Sequence, residues 1–256
     1  MLVESLTERS TNGIGSLIVM AYTPRNCENI GFLILPSPGP AVNMVGVGSV
    51  APERPYRGVR AADRLAERRE RLLVAGLDLL GGREMPALTV RAVCRRAGVA
   101  SRYFYESFTD KDEFVAAVFE WVVNDLAAST QDAVAAAPPA EQTRAGMAHL
   151  VAAIAGDARV GRILFSTRLT NALLVRKRAQ SSALFAMLSG RHVENVLRVP
   201  GNDRIKAAAH FVVGGVAQTI GAWLAGDIHL QPDQLVDQLT ALLGQLDDPA
   251  LYRDQP

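Results

Sequence analysis

GVASRYFYESFTDKDEF, residues Gly98 to Phe114, is the stretch whose reading decides the fold. Two kinds of position alternate in it. Phe104 and Phe108 stand one helical turn apart and face a core, whereas Ser101, Arg102, Tyr103 and Ser107 point outward. Gly98, in the run Ala97-Gly98-Val99, can take the left-handed conformation that a tight interhelical turn requires. Ser101 reads as the N-cap of a short helix ending at Phe108. Asp110, with Glu113 three residues later, makes a capping-box-like start for a longer helix that carries Phe114, Val115, Val118, Phe119 and Val122 on one face. Hydroxyls, an arginine and an aromatic ring on one exposed helix are groups that reach base edges and phosphates; a merely solvated face is more often Glu and Lys.

Working upstream, Thr89 opens a short helix in which Val90, Val93, Cys94 and Ala97 fall at i, i+3, i+4 and i+7. Before it, from Ala61, Leu65, Leu72, Leu73, Gly76, Leu79 and Leu80 recur at helical spacing until Gly81-Gly82 stops the run. Helix, glycine turn, short helix is the geometry that lays a second helix into the major groove while the first crosses the backbone. Charge agrees with it. From Arg57 to Lys111 there are twelve basic residues against seven acidic ones, although the whole chain carries a formal net charge of only +1. A basic module on a mildly acidic body is expected where one part of a protein approaches phosphates.

On these residues, Ala62 to about Trp121 resembles the DNA-binding domain of the TetR family of bacterial regulators. The resemblance is carried by Thr89, the Ala97-Gly98-Val99 turn, Tyr105, Phe108 and Lys111. The family usually has Ser or Thr where Ala100 stands and often His where Ser107 stands. The resemblance implies a transcriptional regulator, in the expected case a ligand-responsive repressor that binds a palindromic, double-stranded operator as a homodimer. It implies that Tyr105 touches a backbone phosphate. Thr89 caps its helix and can meet a phosphate there, and Lys111, at a helix N-terminus beside the same face, is a phosphate ligand. Arg102 and Tyr103 are the candidates for base readout, and Ser101 completes the DNA-binding set; Arg91, Arg95 and Arg96 read as a solvated, steering face.

Downstream, Pro138-Pro139 breaks the pattern, and five helices follow: about Ala140 to Ala155, Ala158 to Leu169, Leu173 to Leu197, Asp203 to Ala225 and Pro232 to Leu246. The fourth carries Phe211, Val212, Gly215, Val216, Thr219 and Trp223, the last Leu235, Leu239, Leu242 and Leu243, two stripes that must be buried. The resemblance implies that they pair with their counterparts in a twin subunit. It also places a pocket for a small lipophilic effector among the middle helices, with Met147, Phe165, Phe185 and Met187 as candidate contacts.

The expected architecture is therefore all-α: a low-order N-terminal extension over residues 1–58, a three-helix helix-turn-helix domain over 59–120 and a helical effector-binding and dimerisation domain over 121–256. Residues 1 to about 55 are rich in Gly, Pro, Ser and Asn without a sustained period, and read as poorly ordered, a leader or an upstream start. Cys27 and Cys94 form no framework, which fits a reducing cytoplasm. Runs such as Leu17 to Tyr22 fall short of a bilayer span, and Glu4 and Glu8 stand where an export signal carries Lys or Arg, so neither a membrane anchor nor secretion is expected. His149, His192, His210 and His229 have no metal spacing, no nucleophile elbow is present, and Gly13-Ile14-Gly15 and Gly46-Val47-Gly48 lack the helix a phosphate loop needs. Neither a cofactor nor an enzyme is expected. The remaining alternative is a DNA-binding factor with no effector.

Overall fold

The computed structural model describes residues 61–83, 88–166, 171–198, 200–246 and 248–252; the expected N-terminal extension lies outside them. The described residues form helices and no strand. The helices are α1 Ala61–Gly81, α2 Val90–Ala97, α3 Ser101–Ser107, α4 Lys111–Ala136, α5 Gln142–Gly156, α6 Ala158–Phe165, α7 Ala172–Leu197, α8 Asp203–Ala225 and α9 Pro232–Gly244, with 3-10 turns at Pro139–Glu141 and Pro249–Tyr252. Residues 167–169, expected at the end of α6, lie outside the described set.

Local chemistry sets most of the ends. The Thr89 hydroxyl accepts from the Ala92 N–H at 3.1 Å and starts α2. Gly98 ends it at φ 65°, and the Val99 N–H returns to the Cys94 carbonyl at 3.0 Å. Two capping expectations are corrected. Ser101 is the first residue of α3, because Ala100 holds the extended N-cap position and offers no side chain to it. Asp110 does cap α4 through the Glu113 N–H at 2.8 Å, but the Glu113 carboxylate reaches one residue further back, to the N–H and hydroxyl of Thr109 at 2.7 and 2.6 Å.

Two cores divide the chain. In the first, Phe104, Phe108 and Phe114 are essentially inaccessible and their ring centroids lie 5.1–5.5 Å apart in tilted and edge-on pairs, each such pair worth about 0.5–1.5 kcal/mol beyond its burial. Leu72, Leu80 and Val93 close this core from α1 and α2, and Ile163 and Leu174 reach it from α6 and α7. At Gly76 the backbone of α1 comes so close to α4 that a Cβ would meet Val118 Cγ2 at 2.5 Å and Phe114 Cζ at 2.6 Å. The second core joins Val134, Met147, Val151 and Ile154 to Val212 and Ile220 of α8 and Leu235, Leu239 and Leu243 of α9. Helix α4 contributes to both.

Helix α8 is 23 residues long and, by length and composition alone, apolar enough to cross a membrane. One side of it is docked: Ile205, Ala209, Val212 and Ile220 are buried. Phe211 on the other side is 70% exposed, Gly214 and Gly215 face open space, and Leu242 of α9 is 53% exposed. The two stripes expected to be buried are thus only half covered within one chain.

Candidate nucleic-acid interface and cavity

Helix α3 has just seven residues, and its orientation comes from what grips it. Phe104 and Phe108 plug it into the core. Arg69 Nη1 donates to the Ser107 carbonyl at 3.0 Å while its guanidinium lies 4.4 Å from the Phe108 ring centre, and Arg71 Nη2 donates to the Ala97 carbonyl at 2.7 Å. Two arginines of α1 therefore satisfy carbonyls at the turn and at the end of α3 that would otherwise be orphaned. With one side pinned, Ser101, Arg102, Tyr105 and Glu106 face out, whereas the Ser107 hydroxyl, expected to point outward, is buried beside the pinned side.

Arg102 is exposed and donates to the Tyr103 hydroxyl at 2.6 Å. The half-buried Tyr103 ring has two guanidiniums over it, Arg102 at 4.6 Å and Arg68 at 4.3 Å from its centre. Tyr105 is 61% exposed and edge-on to Phe104 at 5.4 Å, which leaves its hydroxyl outside. Thr89 and Lys111 are exposed at the starts of α2 and α4. Ser101 is exposed but interacts with the Cys94 thiol, which burial pushes up and this hydrogen bond pulls the other way. That contact joins α3 to α2. The six sequence-predicted residues thus sit at three consecutive helix starts or on the outer side of α3, where backbone N–H groups and a cationic surface meet an anion well. Arg68 joins them. Its spacing on α1 gave no hint of this, because the contact spans 35 positions of sequence.

Arg96, expected to be solvated, is held at 2.7 Å by Asp78, which also pairs with Arg159 of α6. Arg159 in turn grips Asp157 at 2.5 Å, holding that carboxyl below the usual range and its own guanidinium above. Arg162 donates to the Gly81 carbonyl. Helix α6 is therefore tied to the end of α1.

Behind these ties lies a partly open, predominantly apolar cavity of about 980 Å³ including its mouth. Phe119, Leu126 and Ala127 of α4 line one wall, and Met147, Phe165 and Phe185 come to it from α5, α6 and α7. Met187 does not. Two residues beyond Phe185, it is about 200° round the helix and 41% exposed. Sequence reading missed the polar end of the α7 wall, Arg178, Ser181 and Ser182, although with Phe185 these fall at i, i+3, i+4 and i+7. Among the described residues there is no cluster of His, Cys, Asp and Glu able to hold a metal.

Residues 72–118 match the family described as bacterial regulatory proteins, tetR family. They cover α2 and α3, the second half of α1 and the start of α4. These residues carry a TetR-family DNA-binding domain. Solved structures of similar fold extend the likeness behind that domain. The transcriptional regulator FadR from Bacillus subtilis, solved in complex with stearoyl-CoA, shares 17% identity over 68% of this chain and 96% of its own, at a TM-score of 0.52. The fatty acid degradation regulator FadR from Bacillus halodurans shares 15% over 73% and 97%, at 0.54. A TetR-like transcriptional regulator from Rhodococcus sp. RHA1 shares 18% over 72% and 96%, at 0.52. At such identities the likeness is one of fold. No curated protein matches the chain significantly. Regulators of the TetR family are transcription factors and not enzymes.

Proposed function

We propose that this TetR-family regulator is a cytoplasmic, homodimeric repressor that binds a roughly palindromic operator and is released from it by a small lipophilic effector in the cavity. The observation that carries the reading is the outward face of α3, bearing Arg102 and Tyr105 between the exposed helix starts at Thr89 and Lys111, on a basic module roped to a cavity-bearing domain. Roles divide by chemistry. Lys111, Thr89, Ser101 and Tyr105 hold phosphates and fix position, which carries no sequence information. Arg102, braced by Tyr103 and through it by Arg68, reads a base edge, since a guanidinium suits guanine O6 and N7.

The half-covered faces of α8 and α9 support the dimer. Phe211 and Leu242 present apolar surface beside glycines that let another helix approach closely, and a two-fold partner buries it. Two recognition helices then stand about one helical turn, or a multiple, apart on DNA. For the effector, a concave apolar lining with a few polar groups at one end has the character of small-molecule sites, and the Bacillus subtilis protein of similar fold was solved in complex with stearoyl-CoA. Release follows if the ligand binds better to a state whose recognition helices no longer match the operator spacing.

Binding measured against salt tests the DNA half. Lys111→Ala lowers affinity for all sequences alike and reduces the salt slope by about one, whereas Arg102→Ala costs about 1–3 kcal/mol on the operator and relaxes preference at particular base pairs. Equal losses on operator and random DNA for Arg102→Ala contradict its role as a reader. A thermal-shift screen with lipophilic molecules and acyl thioesters tests the other half, since a bound ligand raises stability by mass action; a DNA-binding factor without an effector gives no shift.

A further inference from the structure

Arg178 is the one cation among the described residues that line the cavity. Its guanidinium is about half buried, and among the described residues its charge is met by carbonyls. Nε donates to the Ile163 carbonyl at 2.7 Å, Nη1 to Ser166 at 2.6 Å, and Nη2 to Arg162 at 2.7 Å and again to Ile163. These carbonyls end α6, where a helix leaves acceptors unpaired and carries partial negative charge. Burial accordingly lowers the guanidinium from its ordinary range, with no carboxylate to offset it among the described residues. A carboxylate offers the guanidinium a full opposite charge and two parallel hydrogen bonds to one group, neither of which a carbonyl can supply. An anion entering the cavity therefore competes on favourable terms with the α6 carbonyls.

What Arg178 would let go of is the helix that holds the DNA-binding domain. Helix α6 is eight residues long. Its last turn is gripped by Arg178, while Arg159 and Arg162 bind Asp78 and the Gly81 carbonyl of α1, and Asp78 also holds Arg96 of α2. The α7 wall is graded as well: Ser181 and Ser182 lie one turn beyond Arg178, Phe185 two turns beyond. A ligand with its charged head at Arg178 and the two hydroxyls, and its chain against Phe185 and Phe119, matches that gradient.

We propose that Arg178 is the effector sensor: a single-chain fatty carboxylate binds in the cavity with its head on Arg178, takes the guanidinium from the α6 carbonyls, and so loosens the grip of α6 on α1 and α2. This rests on the cavity being the effector site. The carboxylate is favoured over a larger polyanionic head because one arginine and two hydroxyls make up the polar end of the α7 wall.

The test uses the full-length protein, a labelled DNA site selected from a random library, and three probes: palmitate, methyl palmitate and palmitoyl-CoA. Tryptophan fluorescence reports probe binding and anisotropy reports DNA release. Wild type is expected to bind palmitate at least tenfold more tightly than methyl palmitate and to lose DNA affinity at least tenfold when palmitate saturates it. Arg178→Gln loses the preference for palmitate over its ester and the release, while Arg178→Lys, which keeps the charge without the fork, restores preference but not full release. Ala127→Trp fills the cavity and abolishes binding of all probes. Equal affinity of wild type for palmitate and methyl palmitate, or palmitoyl-CoA acting while palmitate is inert, overturns the head-group assignment and leaves the cavity reading standing; this comparison needs no variant that folds. Palmitate binding without any change in DNA affinity overturns the sensing role. Probe binding unaffected by Ala127→Trp, or none at all, overturns the cavity reading itself.

Discussion

The DNA-binding helices and the domain behind them use space in opposite ways. Around Phe104, Phe108 and Phe114 there is no slack: a Cβ on Gly76 has nowhere to go, and carbonyls at the α2–α3 turn and the end of α3 are answered by arginines of α1. Behind them, helices drawn from residues 119 to 217 leave a partly open apolar cavity, and α8 leaves Phe211 in solvent. The first region presents fixed groups to a rigid partner, which requires side chains held without play. The second keeps apolar surface available for something that is not part of the chain.

Several measurements break or sharpen that contrast. The largest effect is expected from Phe104→Ala, which removes the centre of the aromatic cluster and costs about 3–5 kcal/mol; in denaturant titration the variant loses its DNA-binding helices, while size-exclusion chromatography finds the same oligomeric state as wild type. Adding volume separates the regions more sharply. Gly76→Ala overpacks α1 on α4 and costs about 1–3 kcal/mol, whereas Ala127→Leu enters the cavity and costs less than about 1 kcal/mol. Equal losses for the two by thermal denaturation contradict the contrast. Gly98→Ala forces a Cβ into the left-handed region beside Arg71 and costs about 1–2 kcal/mol, read in the same way.

The smallest effect is a pH dependence placed in the second region. Burial holds the His192 imidazole below its ordinary value of 6.5. The unfolded chain then takes up a proton that the folded one refuses, so stability is complete above about pH 6.5 and declines as pH falls below it. His192→Leu flattens that part of the stability curve, as melting temperatures across pH 5–8 will show.

The same contrast explains what could be read without coordinates. The helices after residue 60 follow from period and punctuation, and five of the six proposed DNA contacts, Thr89 apart, lie within the eleven positions from Ser101 to Lys111. Their exposure is a local matter of which side of a short helix carries phenylalanine. The cap of α3 was misplaced by one residue because Ser101 has the chemistry of a cap but Ala100 has its backbone angles. The cavity was only partly legible. Met147, Phe165 and Phe185 are apolar in the right helices and so is Met187, and nothing in composition tells a wall from an outer surface 200° away. The ties of Asp78 to Arg96 and Arg159, and of Arg178 to the end of α6, join residues 18, 81 and about 15 positions apart, and such pairing depends on how helices cross.

The central claim is that α3 reads DNA with its outer face. Selection of bound sites from a random library with the purified full-length protein, followed by footprinting of the winner, tests it most directly. The account predicts enrichment of one roughly two-fold symmetric sequence, protected on two half-sites about one helical turn or a multiple apart, with the preference at specific base pairs lost in Arg102→Ala. Failure to enrich any sequence, or enrichment that Arg102→Ala and Tyr105→Ala leave unchanged, contradicts it.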